Sequence, residues 1–353
     1  MKHPMPIKKA LVIRFRRVGD AVLALSVCTS LKKTFPGIWI DFVLNENIAS
    51  LFEDHPDVDR VITFGDEENH RLSKYVSKVK QIMRATHYDV IIDMRATVKT
   101  LFFSLFSLST PFRIGTKKGY NLLLNNYRID NHKDNSIDMV QHDLMLLAPL
   151  AKIAPVNYDP VFRFYVSDEE RTGFQNYMKE QGIDFARKIV LVTPATRVQG
   201  KNWDMEKMQD VIRKMIDKYH PQIIFNYGGE VEKQQCRELY EKLNCDQHIF
   251  FDINAKTLKE LKVLISLCDF FFGNEGGPRH IAQALDVPSY AIYPPGVIKS
   301  VWLPGNDPRF QGISPDDIKP DEPDEMTREE QLELITVERV WMTLDSMLNT
   351  FLN

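Results

Sequence analysis

The sequence predicts an α/β protein made of two Rossmann-like domains facing a cleft. Three observations carry this. Short apolar runs alternate with amphipathic stretches through residue 150, the alternation lapses over residues 151–170, and it then restarts. Alternating strand and helix signals specify a parallel sheet with helices on its faces. Two such series within 353 residues suit two domains rather than one.

In the first series, Ala10-Leu11-Val12-Ile13 reads as a strand, and Ala21 to Phe35 as a helix stopped by Pro36-Gly37. Strands follow at Ile38 to Leu44 and Val58 to Phe64, then a helix at Leu72 to Thr86. Asp89-Val90-Ile91-Ile92-Asp93 is a strong strand signal, with a helix from Val98 to Leu108 behind it. Phe112 to Gly115 makes a short strand and Ile137 to Leu150 a helix. Pro155, Pro160 and their polar neighbours mark a linker.

The second series places strands at Lys188–Val192, Gln222–Asn226, Asp269–Phe272 and Ser289–Tyr293. Helices fall at Asp204–Tyr219, Glu230–Leu243, Leu258–Leu267 and Arg279–Leu285. Residues 304–326, rich in Pro and Asp, read as a surface loop, and Thr336 caps a last helix. The division is therefore a first domain at 1–160, a second at 161–330, and a C-terminal helix within 331–353 that packs back on the N-terminal domain.

Composition narrows the function. The chain is 44% hydrophobic and 26% charged, with a formal net charge of −3, so no global basic field points to nucleic acid. Its four cysteines (Cys28, Cys236, Cys245, Cys268) form no CxxC pair and fit a reducing, cytoplasmic compartment. The basic start, Met1 to Lys9, leads into an apolar run broken by Arg14, Arg16 and Arg17, which is no signal peptide. Leu101 to Leu108 is about half the length of a membrane span. It reads as a buried helix, with a greasy surface near lipid as the alternative. Weak peripheral membrane contact, through apolar and basic surface rather than a spanning segment, is the most that is expected.

The most informative loop is Gly273-Asn274-Glu275-Gly276-Gly277-Pro278-Arg279-His280, between a strand and a helix. Two glycines let the backbone approach a ligand, and Pro278 suits the first helical position. Free N–H groups at such a helix start bind phosphate, with Arg279 and His280 as added donors.

Asp20 follows the first strand and the loop Arg14 to Gly19. It is either an N-cap or a carboxylate at the carboxyl end of a strand, positioned to take a proton from a substrate hydroxyl. Thr193 to Trp203 offers Thr196, Arg197 and Lys201, either a solvated loop anchored by Trp203 or a cationic clamp on a diphosphate. Gly228-Gly229-Glu230-Val231-Glu232 suits a ribose or base, or is a turn whose acids favour the helix dipole. The single glycine of the first loop argues against a dinucleotide fingerprint. No HExxH, Walker A or GxSxG motif is present, so no metal and no cofactor is expected.

With these loops placed, the chain resembles the ADP-heptose:lipopolysaccharide heptosyltransferases, inverting glycosyltransferases of the GT-B fold. The likeness rests on Val18-Gly19-Asp20, Lys201-Asn202-Trp203, Gly273 to Leu285 with Val287-Pro288, and Ile335 to Leu348. It implies Asp20 as general base, and Lys201 with Thr196 on the donor's diphosphate. Glu275, Gly276, Gly277 and His280 would complete that pocket, and Glu232 would lie near the nucleoside. Arg16, Arg17, Arg197 and Arg279 are further candidates for diphosphate or acceptor contacts. The implied partners are a nucleotide-diphosphate sugar, ADP-heptose, and a lipid-linked anionic inner-core oligosaccharide. Glu275-Gly276 departs from the family's aspartate and hydroxyl, which leaves two alternatives open. One is a related transferase using another nucleotide sugar for a different surface glycan. The other is a nucleotide-binding protein without catalysis.

Overall fold

Runs such as Ala10-Leu11-Val12-Ile13, Val90-Ile91-Ile92 and Val190-Leu191-Val192 lack polar alternation, so both of their faces need cover. The structure, a computed structural model that describes residues 6–130, 135–198, 200–318 and 326–352, buries all of them fully in two six-stranded sheets. The chain divides into two units, Met1–Phe162 and Arg163–Asn353.

The first unit contains β1 (Lys9–Ile13), β2 (Trp39–Asn45), β3 (Arg60–Phe64), β4 (Val90–Asp93), β5 (Phe112–Thr116) and β6 (Tyr127–Ile129), in the order β3-β2-β1-β4-β5-β6. The second contains β7 (Ile189–Thr193), β8 (Gln222–Phe225), β9 (Ile249–Phe250), β10 (Phe270–Asn274), β11 (Ser289–Ile292) and β12 (Phe310–Ile313), in the order β12-β11-β10-β7-β8-β9. Every ladder is parallel. The two Rossmann-like α/β units read from the sequence are therefore observed.

The strand order reverses between β1 and β4 in one sheet and between β7 and β10 in the other. Loops leaving the carboxyl ends of such a strand pair diverge and leave a crevice for ligand. Asp20 and Asp93 come from the first pair, and the loops at 194–203 and 275–277 from the second.

Several elements differ from expectation, each for a local reason. The helix expected over Ala21–Phe35 begins earlier and breaks into Val18–Leu23 and Leu25–Thr34. Ser26 Oγ donates to Leu23 O at 2.8 Å there, competing with the helical ladder. The helix expected at Ile137–Leu150 is α-helical only over Met139–Leu144, then tightens to a 3₁₀ run around Pro149, which has no N–H to give. The helix at Val98–Leu108 shrinks to Leu101–Leu105. Asp168–Glu180 is a helix begun by a Ser167/Glu170 capping box at the end of the expected linker. Within the expected loop at 304–326, Phe310–Ile313 pairs in parallel with β11, while residues 319–325 lie outside the described set, as do Met1 to Met5 of the basic start.

The placement of the last helix is corrected. Val337–Phe351 has the expected Thr336 cap, but its apolar face joins the core of the second unit through Val340, Leu344, Met347 and Leu348. Lys218 and Tyr219 bind Asp345 on the same helix, and Trp203 Nε1 donates to Ile335 O at 2.9 Å. Among the described residues no helix is long and apolar enough to cross a membrane.

One close approach fixes the second switch point. A Cβ added at Gly273, whose φ is +149°, would stand 2.4 Å from Thr193 O and 2.8 Å from Thr193 N. Both the backbone angle and the space require glycine. Gly273→Ala is expected to destabilise the second unit by about 3 kcal/mol. Calorimetry that shows wild-type melting for this variant would refute so tight a β7–β10 contact.

Candidate active site

In the first unit the site is a buried charge cluster. Asp20 is the third residue of the helix Val18–Leu23, whose N-cap is Arg17, so the capping role does not apply to it. Its side chain turns back on Arg14, the residue directly after β1. Arg14 Nη2 donates to Asp20 Oδ1 at 3.0 Å and Nη1 to Met94 O at 2.8 Å. Arg14 Nη2 also lies 3.8 Å from Asp143 Oδ2. Arg14, Asp20 and Asp143 are all more than nine-tenths buried. Among the described residues, no hydrogen bond reaches Asp20 Oδ2.

Asp93, at the end of β4, belongs to the same electrostatic neighbourhood. Its carboxylate accepts from Ala96 N at 2.8 Å, Arg95 N at 3.1 Å and Thr100 Oγ1 at 2.6 Å, which shapes the loop after β4. Burial pushes Asp93 up to about 6, opposed by these bonds and by the Arg14 charge. Burial also pushes Asp143 up to about 6, with Arg14 opposing and the negative charges of Asp20 and Asp138 reinforcing. Burial of the two carboxyls outweighs the attraction of the one guanidinium beside them. The loop above is strained as well: Arg16 has φ +155° and Ala96 φ +47°, on loops from adjacent strands. Arg16 and Arg17 are exposed.

In the second unit three loops meet. Asn274, the last residue of β10, accepts from Trp203 N at 2.8 Å and donates to Pro194 O at 2.7 Å, so it ties both ends of the 194–203 loop to β10. Within that loop Asn202 Oδ1 accepts from Thr196 N at 2.6 Å, and Asn202 Nδ2 reaches Gln235 on the helix Glu230–Lys242 at 3.3 Å. Trp203, fully buried, is the anchor expected of it.

Glu275 follows Asn274, and Gly276 caps the helix Gly277–Ala284. Pro278 sits second in this helix rather than first, still among the residues whose N–H has no helical partner. His280 Nε2 lies 3.3 Å from Glu275 Oε1. Burial and the adjoining Arg279 charge lower His280 to about 4, so its ring is neutral at neutral pH and the contact is a hydrogen bond rather than an ion pair. Burial works against the Glu275 charge, but His280, Arg279 and Lys201 outweigh it and hold the carboxyl below its usual range. Lys201 is partly exposed, and among the described residues its Nζ has no hydrogen bond or ion pair. A Cβ at Gly276 would meet only Pro278 Cδ, at 3.8 Å, so this glycine leaves open space above the helix start.

The structure therefore brings Lys201, Glu275, Gly276, Gly277 and His280 together. It treats four other candidates differently. Arg279 is fully buried, donating to Gln283 Oε1 at 2.6 Å and Trp302 O at 2.6 Å, so it acts on this loop by charge and not as an exposed donor. Thr196 spends its hydroxyl on Val198 O at 3.2 Å, and Arg197 is exposed. Glu232 Oε2 accepts from Gly228 N at 2.7 Å and braces the turn before its own helix. Arg14, Asp93, Asp143 and Asn274 were not singled out in the sequence. Asp143, set among apolar residues of a helical stretch, carried the clearest signal.

Rising pH should cost this protein stability over a definite window. Asp93 and Asp143 keep their protons to about 6 when folded, whereas in the unfolded chain they lose them near 4. Their contribution is full below the unfolded value and is lost as pH climbs through about 6. Asp143→Asn should flatten the slope of melting temperature between about pH 4 and pH 7. A slope equal to that of the wild type would show that Asp143 does not titrate there.

Known proteins give a consistent comparison. A family model described as glycosyltransferase family 9 (heptosyltransferase) matches residues 76–301. The lipopolysaccharide core heptosyltransferase OpsX of Haemophilus influenzae is 23% identical over 293 residues, covering 81% of this chain and 79% of the relative. Lipopolysaccharide heptosyltransferase 1 of Campylobacter coli is 22% identical, covering 81% and 83%. Among solved structures, a glycosyl transferase family 9 protein of Veillonella parvula superposes with a TM-score of 0.82 at 16% identity, covering 98% of each chain. Escherichia coli ADP-heptose lps heptosyltransferase II gives 0.73 at 22% identity, covering 97% of this chain and 99% of that one. At these identities the structures speak for the fold.

Proposed function

Because this chain belongs to glycosyltransferase family 9, we propose that it moves heptose from ADP-heptose to a lipopolysaccharide inner-core acceptor, with Asp20 as general base. Glycosyl transfer is the family's activity; the donor, the acceptor and the base are our reading. The observation that carries it is the Asp20 carboxylate. One oxygen is held by Arg14 at 3.0 Å and the other, among the described residues, is left without a hydrogen bond, in the loop region of the β1/β4 switch point.

The steps follow from the residues. Asp20 Oδ2 takes the proton of the acceptor hydroxyl, and the acceptor oxygen attacks the anomeric carbon. The bond from that carbon to the diphosphate breaks in the same displacement, inverting the centre. The departing nucleoside diphosphate keeps the electron pair. Lys201 and the free N–H groups at the start of Gly277–Ala284 meet its growing charge, with Arg279 as a buried cation behind them. This charge needs no divalent ion and no covalent intermediate.

Asp20→Asn should lower turnover by about 10²–10⁴-fold and leave donor affinity unchanged. Turnover at the wild-type rate would remove Asp20 from the base role. Equal loss of donor binding would point to a broken fold instead.

The Glu275-Gly276 pair gives the second reading, a related transferase with another nucleotide sugar for a different surface glycan. A thermal-shift panel of ADP-, GDP-, UDP- and dTDP-sugars in chelator separates the two. Only a ligand that favours the folded state raises the melting temperature. A response to ADP-heptose alone, lost in Lys201→Ala, is the expected outcome. A larger response to another nucleotide, or one that needs added Mg²⁺, would count against the reading given first.

A further inference from the structure

Asp143 takes no part in the transfer steps, yet it stands beside the nitrogen that holds Asp20. It lies in the helix Met139–Leu144 and is 3% exposed. Its Oδ2 is 3.8 Å from Arg14 Nη2, the same atom that donates to Asp20 Oδ1 at 3.0 Å. Among the described residues, Asp143 Oδ2 has no hydrogen bond. A buried polar atom that serves only the fold is as a rule hydrogen-bonded, so this oxygen calls for another reason.

Arg14 is fixed in place without it. Nη1 donates to Met94 O at 2.8 Å and Nε to Asp20 O at 3.4 Å, besides the bond to Asp20 Oδ1. What Asp143 adds is charge. A guanidinium that faces a single carboxylate favours its charged form and makes it a reluctant proton acceptor. A second carboxylate beside the same nitrogen shares the cation and repels the first.

We infer that Asp143 is a positioning residue for the transfer reaction: once ionised it shares the Arg14 charge, and Asp20 is then freer to take the acceptor's proton. The inference rests on the reading of Asp20 as general base. Burial pushes the Asp143 carboxyl up to about 6, with Arg14 opposing and the charges of Asp20 and Asp138 reinforcing. Below that pH Asp143 is neutral, and above it the cation is shared. The helix Leu25–Thr34, which packs on the Asp143 helix, commits its Lys32 to Asp59 and its Lys33 to Asp159. Lys152, at the end of the 3₁₀ run that follows, lies over the Tyr127 ring. His142 precedes Asp143 in the helix and is buried with it. Asp93 is also raised to about 6 and feels Arg14, but its carboxylate is engaged by Ala96 N, Arg95 N and Thr100 Oγ1. It is present in wild type and in an Asp143 variant alike, so the difference between the two isolates Asp143.

Two measurements on the full chain test this. The first contains no substrate: NMR follows isotope-labelled aspartate carboxyls across the titration, with the Asp143 signal assigned from Asp143→Asn. That signal should titrate near 6 in wild type and at lower pH in Asp20→Asn, where the reinforcing charge is gone and Arg14 is left to Asp143. An unmoved midpoint would show the two acids uncoupled and overturn the inference, whatever Asp20 does in catalysis. The second is the pH profile of kcat with ADP-heptose and an inner-core acceptor. Wild-type kcat should rise between about pH 5 and pH 7, and Asp143→Asn should flatten that rise and run about threefold to tenfold slower above it, with the donor KM unchanged. Asp138→Ser keeps a capping side chain while removing a charge that reinforces burial, so it should move the rise to lower pH. An Asp143→Asn enzyme slowed equally at every pH, with the rise intact, would make the residue structural and overturn the inference. Wild-type turnover by Asp20→Asn would instead defeat the base reading, and this inference with it, even where the NMR coupling is seen.

Discussion

Each unit lays down its strands outward in one direction, returns to its first strand, and continues in the other. That reversal, at β1/β4 and at β7/β10, is the constraint on which the rest depends. Parallel strands joined by crossovers send all their outgoing loops to one edge of the sheet. At the reversal the two neighbouring loops run to opposite faces and leave their backbone and side chains exposed between them. Asp20 and Asp93 lie after or at the end of the first pair of strands, Lys201 and Glu275 beyond the second. The chemistry is placed by topology before any side chain contributes.

Side chains then make those loops rigid, by different means in the two units. In the first, charge does it. Arg14 holds Asp20 and the Met94 carbonyl at once, so it ties the loop after β1 to the loop after β4, and burial pushes Asp93 and Asp143 beside it up to about 6. A buried guanidinium with such partners is costly to disturb, because removing either side leaves an unpaired buried charge. In the second unit a neutral amide does it. Asn274 spends its oxygen on Trp203 N and its nitrogen on Pro194 O, and Gly273 beside it allows β10 to lie against Thr193. The neutral fastening leaves Lys201 unengaged, which suits a group meant to meet an anion.

Much of this was legible in the sequence, and the limits have physical causes. Long apolar runs gave the central strands, because a strand covered on both faces has no reason to alternate. Edge strands did not announce themselves: β6 has three residues, β9 two, and β12 lies in a stretch that Pro and Asp make look like loop. The residue types of the loops pointed to Asp20, Lys201, Glu275 and His280, and the structure sets each of them just beyond a switch-point strand of its unit. They were not enough to tell which polar groups face the ligand and which hold the loop. Glu232 and Thr196 are largely occupied by their own backbone neighbourhood, and Arg279, which reads as an exposed donor, is fully buried. That distinction depends on rotamers and long-range packing, such as the Arg279 contact with Trp302 O, which no local pattern contains. Asn274 escaped notice because an amide has no charge to advertise its two contacts.

The departure at Glu275-Gly276 can now be weighed by its charges. A longer acid in place of an aspartate would bring a negative charge toward a diphosphate, which is unfavourable unless the charge is engaged elsewhere. Here it is engaged: Glu275 turns to His280 at 3.3 Å, and Lys201 and Arg279 bear on it as well. With His280 neutral, the fixed charges of the loop are Lys201 and Arg279 against Glu275, leaving it net positive before the helix start adds its own partial charge. The buried Arg279 is what turns the balance. Without it Lys201 and Glu275 would cancel, and a doubly charged leaving group would meet no excess of positive charge. The hydroxyl lost at Gly276 removes a single donor but leaves the backbone N–H groups more open, as the empty space above its Cα shows. The loop of this chain thus combines a buried cation with an open backbone and keeps a net positive charge without a side-chain hydroxyl at Gly276.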